Sequence, residues 1–119
     1  VTMDLKSFYD KLGGSYEEIK ARLPTDSLIR KFVLMLPNDQ CYEQLKEAMA
    51  KNDWTAAFTA CHTLKGVSAN LALKSLSAAA SALTEDLRSG TPAPSAQQNY
   101  EQLQKTYQAV IDAINEGVS

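Results

Sequence analysis

Residues 100–114 read YEQLQKTYQAVIDAI, and this stretch decides the fold. Its apolar residues recur in alternating steps of three and four, at Tyr100, Leu103, Tyr107, Val110 and Ile114. That spacing places them on one narrow stripe of an α-helix, which is typical of a helix packed in a bundle. Because one helix cannot bury such a stripe alone, other helices of the chain must pack against it.

The segments before this helix also show helical spacing, whereas strand signals are almost absent. The pattern predicts a helix over residues 74–88 and another over residues 38–51. Between them lies a longer helix, which begins at the N-cap residue Asp53, after a break at Asn52, and continues to Leu71. This longer helix is called the site helix below.

The ends of the last two helices are marked by turn and capping residues. Residues 89–94 read SGTPAP, which predicts a loop between the last two helices and not an interdomain linker. The serine and glutamine of Ser95-Ala96-Gln97-Gln98 match a capping box and predict the start of the last helix.

Shorter helices are predicted in the N-terminal third. The first covers residues 3–12 and ends at Gly13-Gly14, a natural helix stop. The second begins with a capping box at Ser15 and stops before Pro24. A third begins at Thr25 or Asp26 and carries an inward-facing stripe up to Pro37, made of Leu28, Ile29, Phe32, Val33 and Leu36.

Together these segments predict an all-α fold, an antiparallel four-helix bundle with additional short N-terminal helices. The length of 119 residues fits a single domain over residues 1–119. The predicted core brings residues from three of the long helices together: Phe58, Cys61, Leu64, Leu83, Leu103, Tyr107 and Val110.

Composition excludes several functional classes. The net charge of −2 gives no basic footprint for nucleic acid. No apolar run is long enough to span a membrane and no signal peptide is recognised, so a cytoplasmic location is expected. Cys41 and Cys61 are too few and too far apart for a disulfide framework or a zinc site, and both are expected to be buried thiols.

The chemistry of the chain is concentrated in His62-Thr63-Leu64-Lys65-Gly66, which contains the only histidine. Residues three and four apart share a helix face, so Lys65 and Gly66 both neighbour His62. On a helical wheel His62 lies at the border of the apolar stripe, where packing holds one side and a partner can approach the other. A neutral imidazole is a competent nucleophile, and phosphoryl transfer needs a nearby positive charge. Glycine inside a helix costs stability, which points to close approach of another backbone.

This run continues into Val67-Ser68-Ala69-Asn70-Leu71, and together they resemble the signature of the histidine phosphotransfer (HPt) domain family of phosphorelays. The resemblance covers most of the chain. It implies that His62 is phosphorylated at Nε2, that Lys65 interacts with the phosphoryl group and that Gly66 keeps the approach open for a receiver domain. One departure is Ala72, where the family often has glycine, which leaves open where the site helix ends.

The resemblance implies a phosphorelay intermediate that takes a phosphoryl group from a receiver-domain aspartyl phosphate and passes it to another receiver aspartate. The expected partners are receiver domains and a sensor or hybrid histidine kinase. A receiver is expected to lie over the border around His62, against the site helix and the residue 38–51 helix. The alternative is an interaction module of the same fold whose histidine is not phosphorylated.

No enzymatic activity of its own is expected of this chain, because it has neither a Gly-rich phosphate loop nor another nucleotide-binding signature. No cofactor is expected either, since one histidine without haem-type or di-iron spacing offers too few ligands. Asp39, Glu43 and Glu47 recur at steps of four but are interpreted as a solvated face, not a metal site. A monomer is expected.

Overall fold

Helices make up almost all the regular structure in the computed structural model, which describes residues 2–118. Two short helices, α1 and α2, come first and a third, α3, runs into a single 3₁₀ turn at Leu36–Asn38. Four further helices, α4 to α7, follow. The bounds are α1 Leu5–Lys11, α2 Tyr16–Arg22, α3 Asp26–Met35, α4 Cys41–Ala50, α5 Trp54–Asn70, α6 Lys74–Leu87 and α7 Ala96–Glu116.

Helices α4 to α7 form the bundle, and each packs on the next along the chain. The connections at residues 51–53 and 71–73 are short, which makes the joined helices antiparallel. The Tyr42 ring of α4 stacks on the Tyr107 ring of α7, with centroids 3.7 Å apart, and so connects the first helix of the bundle to the last. The predicted all-α bundle with additional N-terminal helices is confirmed.

The core contains six of the seven residues predicted for it, all of them buried: Cys61, Leu64, Leu83, Leu103, Tyr107 and Val110. The seventh, Phe58, is only partly buried, and it packs against this core from outside. Phe32 was predicted to face inward on α3, but it is 40% exposed. Ile29 and Val33 of the same stripe are fully buried.

Side-chain caps set three of the predicted helix starts. The Ser15, Thr25 and Asp53 side chains accept hydrogen bonds from backbone N–H groups three residues ahead. Thr25, rather than Asp26, is therefore the N-cap of α3. In each case the side chain satisfies a donor that the first turn of a helix leaves unpaired.

Helix α7 begins at Ala96, directly after Ser95, as predicted. One predicted capping contact and one other predicted helix start are wrong. The capping box at Ser95 does not form, because the Ser95 hydroxyl donates to the Asp86 carboxylate at 2.7 Å instead. Helix α4 begins at Cys41 and not at residue 38. Pro37 lies in the 3₁₀ turn, and the Asp39 carboxylate accepts a hydrogen bond from the Cys41 backbone N–H at 2.9 Å.

The N-terminal helices pack against the turn between α5 and α6. The Tyr9 hydroxyl donates to the Leu71 carbonyl at 2.7 Å, and the Ser15 N–H donates to the Ala72 carbonyl at 3.0 Å. Burial raises the pKa of Tyr9 well above its usual range, so this donor stays protonated. Met3 and Val118 form an isolated parallel bridge, which joins the N-terminal segment to the residues that follow α7.

Among the helices of residues 2–118, none combines the length and the apolar character that crossing a membrane requires.

Candidate functional site

Helix α5 presents His62 on the side turned away from the core. Its inward stripe consists of five residues that are all at most 6% exposed: Ala57, Ala60, Cys61, Leu64 and Ser68. Because these residues recur at steps of three and four, they fix the rotation of the helix. His62 is exposed, as its border position on the helical wheel predicted.

Buried polar side chains lie inside the α5–α6 contact, and one of them bonds across it. The Cys61 thiol donates to the Ala80 carbonyl at 3.2 Å, and the same carbonyl accepts from the Thr84 hydroxyl at 2.7 Å. The Ser68 hydroxyl donates back to the Leu64 carbonyl at 2.7 Å. These buried hydroxyl and thiol groups therefore all have partners, and the bond from the Cys61 thiol is the one of the three that joins α5 to α6.

Both cysteines are free and buried, as predicted. Burial raises the pKa of Cys61 to about 11 and that of Cys41 to about 12. A thiolate is the reactive form of cysteine, so both thiols are unreactive at neutral pH.

An aromatic ring lies beside His62, and a guanidinium lies beside that ring. The Phe58 ring, one turn before His62, lies nearly parallel to the imidazole, with centroids 6.0 Å apart and 12° between the planes. The Arg88 guanidinium lies 5.3 Å from the centroid of Phe58. Arg88 donates two hydrogen bonds, of 2.7 and 3.0 Å, to the Glu85 carboxylate. These bonds lower the pKa of Glu85, and the charge of Lys65 acts in the same direction.

Phe58 and Arg88 were not predicted as neighbours of His62. The antiparallel packing of α5 on α6 brings the start of one helix beside the end of the other, so this contact joins residues 30 positions apart in the chain. The sequence predicted both helices. The spacing of their apolar residues does not determine the register in which the two helices pack, so it could not predict this contact.

Lys65 lies one turn after His62 and is partly buried. Within residues 2–118 its ammonium makes no ion pair of 4.0 Å or shorter, although Glu18, Arg22 and Lys74 line the same groove between α2, α5 and α6. The cation is therefore available to a charged group that approaches the surface of α5.

Gly66 is exposed, and a side chain built on it would meet no other atom within 4 Å. No contact inside the described part of the chain explains why this helical position is a glycine. The close approach of another backbone that the sequence predicted at Gly66 is not found within residues 2–118.

Helix α5 ends at Asn70, and the turn that follows depends on Ala72. Ala72 has a φ of 55°, a left-handed conformation in which glycine is usual, and its methyl group is buried. The Leu73 N–H donates to the Ser68 carbonyl at 3.0 Å, which closes the helix end. The departure from glycine at this position leaves the usual helix-ending geometry intact.

An apolar surface adjoins the C-terminal half of α5. Phe32 and Met35 of α3 are 40% and 52% exposed, and they line a groove with Val67 and Asn70 of α5. Val67 directly follows Gly66 along the helix, and Asn70 lies one turn after Gly66. The groove therefore continues the open surface that begins at His62.

The acidic residues considered as a metal site have other contacts. The Asp39 carboxylate caps α4, and Glu43 forms an exposed ion pair with Lys46 at 3.6 Å. Within residues 2–118, no three His, Cys, Asp or Glu side chains are grouped so that they could hold a metal ion.

A comparison with protein-family models matches the Hpt domain over residues 28–113, which is most of the chain and includes His62, Lys65 and Gly66. Searches among curated proteins and among solved structures found no significant match.

Proposed function

The chain belongs to the Hpt domain family, and we propose that His62 is its phosphoryl-accepting residue. Hpt domains take part in the phosphotransfer of two-component phosphorelays, and they are phosphocarriers and not kinases. The observation that carries the proposal is the position of the only histidine. His62 is exposed on the outward face of α5, inside the matched region. It lies beside an open glycine surface and a cation that has no ion-pair partner within residues 2–118.

In the proposed reaction, His62 takes the phosphoryl group from an aspartyl phosphate of one receiver domain. The lone pair of Nε2 forms a bond to phosphorus, while the bond from phosphorus to the aspartyl oxygen breaks and the aspartate leaves as a carboxylate. Nδ1 keeps its proton during this step. The reverse reaction with a second receiver passes the group on.

Lys65 supplies charge stabilisation in this proposal. Phosphoryl transfer relies on positioning and on stabilising charge at the transferring oxygens, so a nearby ammonium lowers the barrier. Lys65 fits the role because it lies one turn from His62 and has no ion-pair partner among residues 2–118.

Gly66 and the apolar groove would form the docking surface for the receiver. Exposed apolar side chains next to an open backbone are typical of protein-interaction sites. The groove is formed mainly by α2, α3 and α5, and it reaches the 38–51 segment at Asn38 and Asp39. We expect the receiver to contact α3 and α5 more than α4.

The partners proposed are receiver domains and a sensor or hybrid histidine kinase, the kinds of domain with which Hpt domains interact. We also propose that the chain acts as a monomer in the cytoplasm, in the compartment of those partners. The site proposed needs residues of only one copy.

The acceptor is tested by incubating the chain with a receiver domain phosphorylated on its aspartate and measuring the intact mass. We expect the mass of one phosphoryl group to be added, in an acid-labile and alkali-stable linkage. His62→Gln should prevent labelling, and Thr63→Gln, which removes the adjacent exposed hydroxyl, should not. Labelling of His62→Gln would contradict the proposal. No labelling of the parent chain would favour the interaction module instead.

The docking surface is tested by the affinity for the same receiver. Met35→Asp places a charge in the groove and should weaken binding. Leu34→Asp is the matched control, because Leu34 is similarly exposed at 44% but does not line the groove. Equal effects of the two substitutions would exclude the groove as the docking surface.

A further inference from the structure

Four consecutive carbonyl groups at the end of α5 accept hydrogen bonds from residues that precede the region matched to the Hpt family. Arg22 Nη1 donates to the Ala69 and Asn70 carbonyls, at 2.8 and 3.1 Å. The Tyr9 hydroxyl and the Ser15 N–H donate to the next two carbonyls. A helix leaves its last carbonyls without partners, so this N-terminal segment completes the end of α5.

Arg22 differs from the other two donors because it carries a charge and lies beside Lys65. Arg22, Lys65, Ala69, Glu18 and Lys74 line the same groove between α2, α5 and α6. Lys65 is one turn before Ala69 on the same helix face. Arg22, which bonds the Ala69 carbonyl, thus lines the same groove as the cation proposed to act on the phosphoryl group.

Two negative groups in this groove would attract the Lys65 ammonium away from His62. One is the end of α5, where the helix dipole gives the last carbonyls partial negative charge, although the Ala69 carbonyl also accepts from the Ala72 N–H at 3.0 Å. The other is the Glu18 carboxylate. Arg22 contacts both, since it binds the two carbonyls through Nη1 and lies 3.3 Å from Glu18 Oε1 through Nη2.

Lys74 occupies the second oxygen of the same carboxylate, with its ammonium 3.3 Å from Glu18 Oε2. Both oxygens of Glu18 are therefore paired. The two cations that pair with it, Arg22 and Lys74, line the same groove as Lys65. Like charges repel, and a helical side chain leans toward the N-terminus of its helix. Both effects favour an orientation of Lys65 toward the N-terminal side of α5, the side on which His62 lies. The Lys65 charge also acts on Glu85 of α6.

We propose that Arg22 is a positioning residue that keeps the Lys65 ammonium directed toward His62 by occupying the end of α5 and the Glu18 carboxylate. This inference rests on the proposed function of His62 and Lys65. Arg22 lies before residue 28, outside the matched region, so the inference assigns the N-terminal helices a part in phosphotransfer.

The test measures how fast phospho-His62 forms from phosphoramidate, a small donor that needs no docking surface. In that reaction the phosphorus–nitrogen bond of the donor breaks, ammonia leaves and Nε2 bonds to phosphorus. Arg22→Gln should slow labelling about twofold to fivefold, the range expected from the loss of one exposed charge interaction. Arg22→Lys should restore most of the rate. Lys20→Gln removes a charge from the same helix at a residue paired with Asp26, and should have no effect.

The decisive comparison repeats Arg22→Gln in a Lys65→Ala background. If Arg22 acts through Lys65, its substitution has no further effect there. An equal slowing in both backgrounds, or no slowing with Lys65 present, would overturn the inference. Unaltered melting temperatures between the compared pairs would exclude loss of folding as the cause.

A second readout does not depend on phosphorylation. In NMR spectra of the parent chain, the Lys65 ε-methylene should give nuclear Overhauser contacts to the His62 ring. In Arg22→Gln these should weaken, and contacts to the Ala69 methyl group should strengthen. Unchanged contacts would overturn the positioning role even if His62 is labelled. Changed contacts without any labelling would contradict the proposed function and leave the positioning of Lys65 supported.

Discussion

The two faces of α5 have opposite properties although they belong to one helix. On the inward face, Leu64 and Cys61 are fully buried, and Cys61 is hydrogen-bonded to α6. On the outward face, His62 and Gly66 are exposed, and nothing in the described chain approaches the glycine. The inward face is buried against other helices, and the outward face is exposed at His62 and Gly66.

This contrast suggests how the bundle supports a phosphoryl acceptor. Tight packing on one side fixes the rotation of α5, so His62 points outward without any contact of its own to hold the helix. The residues that stabilise the fold and those proposed for phosphotransfer are adjacent in sequence, yet they should respond to substitution in different ways. The following predictions test that separation.

The largest effect on stability is expected at Leu64. Leu64→Ala removes a fully buried side chain and should lower the free energy of unfolding by about 2–5 kcal/mol. The matched control is Leu34→Ala, the same change at a leucine that is 44% exposed, which should cost less than about 1 kcal/mol. Denaturant unfolding measures both. A similar loss for the two leucines would mean that the inward face does not hold the helix.

Lys65 should affect phosphotransfer more than stability. Lys65→Ala removes a charge-assisted contact to the phosphoryl group worth about 1.5–3 kcal/mol, or about tenfold to a hundredfold in transfer rate. Receiver affinity should stay nearly unchanged. Lys105→Ala, at an exposed lysine of α7, is the control and should transfer at the parent rate. If both variants transfer normally, Lys65 has no role in the chemistry.

Tyr9 tests how firmly the end of α5 is held. Tyr9→Phe removes the hydroxyl that binds the Leu71 carbonyl in a buried site and should cost about 1–3 kcal/mol of stability. Tyr16→Phe removes an exposed hydroxyl that donates to Asp26, so a smaller loss is expected. Thermal unfolding distinguishes the two. Equal losses would show that the N-terminal helices are not tightly coupled to α5.

The smallest effect on stability, with the opposite sign, is expected at Gly66. Gly66→Gln should raise stability by up to about 0.5–1 kcal/mol, because glycine is a poor helix former and the new side chain has free space. The same change should weaken receiver binding and slow transfer. Ala109→Gln on the exposed surface of α7 should leave both unchanged. A Gly66→Gln chain that binds and transfers like the parent would place the docking surface elsewhere.

Local signals in the sequence were sufficient for the helices and for the direction in which α5 faces. Ser15, Thr25 and Asp53 cap helices because a short polar side chain reaches the N–H groups just ahead of it, which requires no other part of the chain. The exposed position of His62 follows from the helical period alone. The same local signal failed at Ser95, where the Asp86 carboxylate competes for the hydroxyl.

Contacts between distant segments could not be predicted from spacing. Phe58 lies on the apolar side of the helical wheel, but the α5–α6 contact ends beside it and leaves it between His62 and Arg88. Tyr9 contacts a carbonyl that lies 62 positions later in the chain, and Arg22 contacts two carbonyls that lie 47 and 48 positions later. Such pairings depend on how the helices are arranged in space, which amphipathic patterns do not determine.

The central claim is that the outward-facing His62 carries the phosphoryl group on Nε2. Because the chain contains one histidine, labelling it with ¹⁵N-histidine gives a single imidazole whose two nitrogens can be observed separately by NMR. After incubation with a phosphorylated receiver domain, we predict a ³¹P–¹⁵N coupling to Nε2 and none to Nδ1. Phosphate bound to the chain without coupling to either imidazole nitrogen would contradict the account.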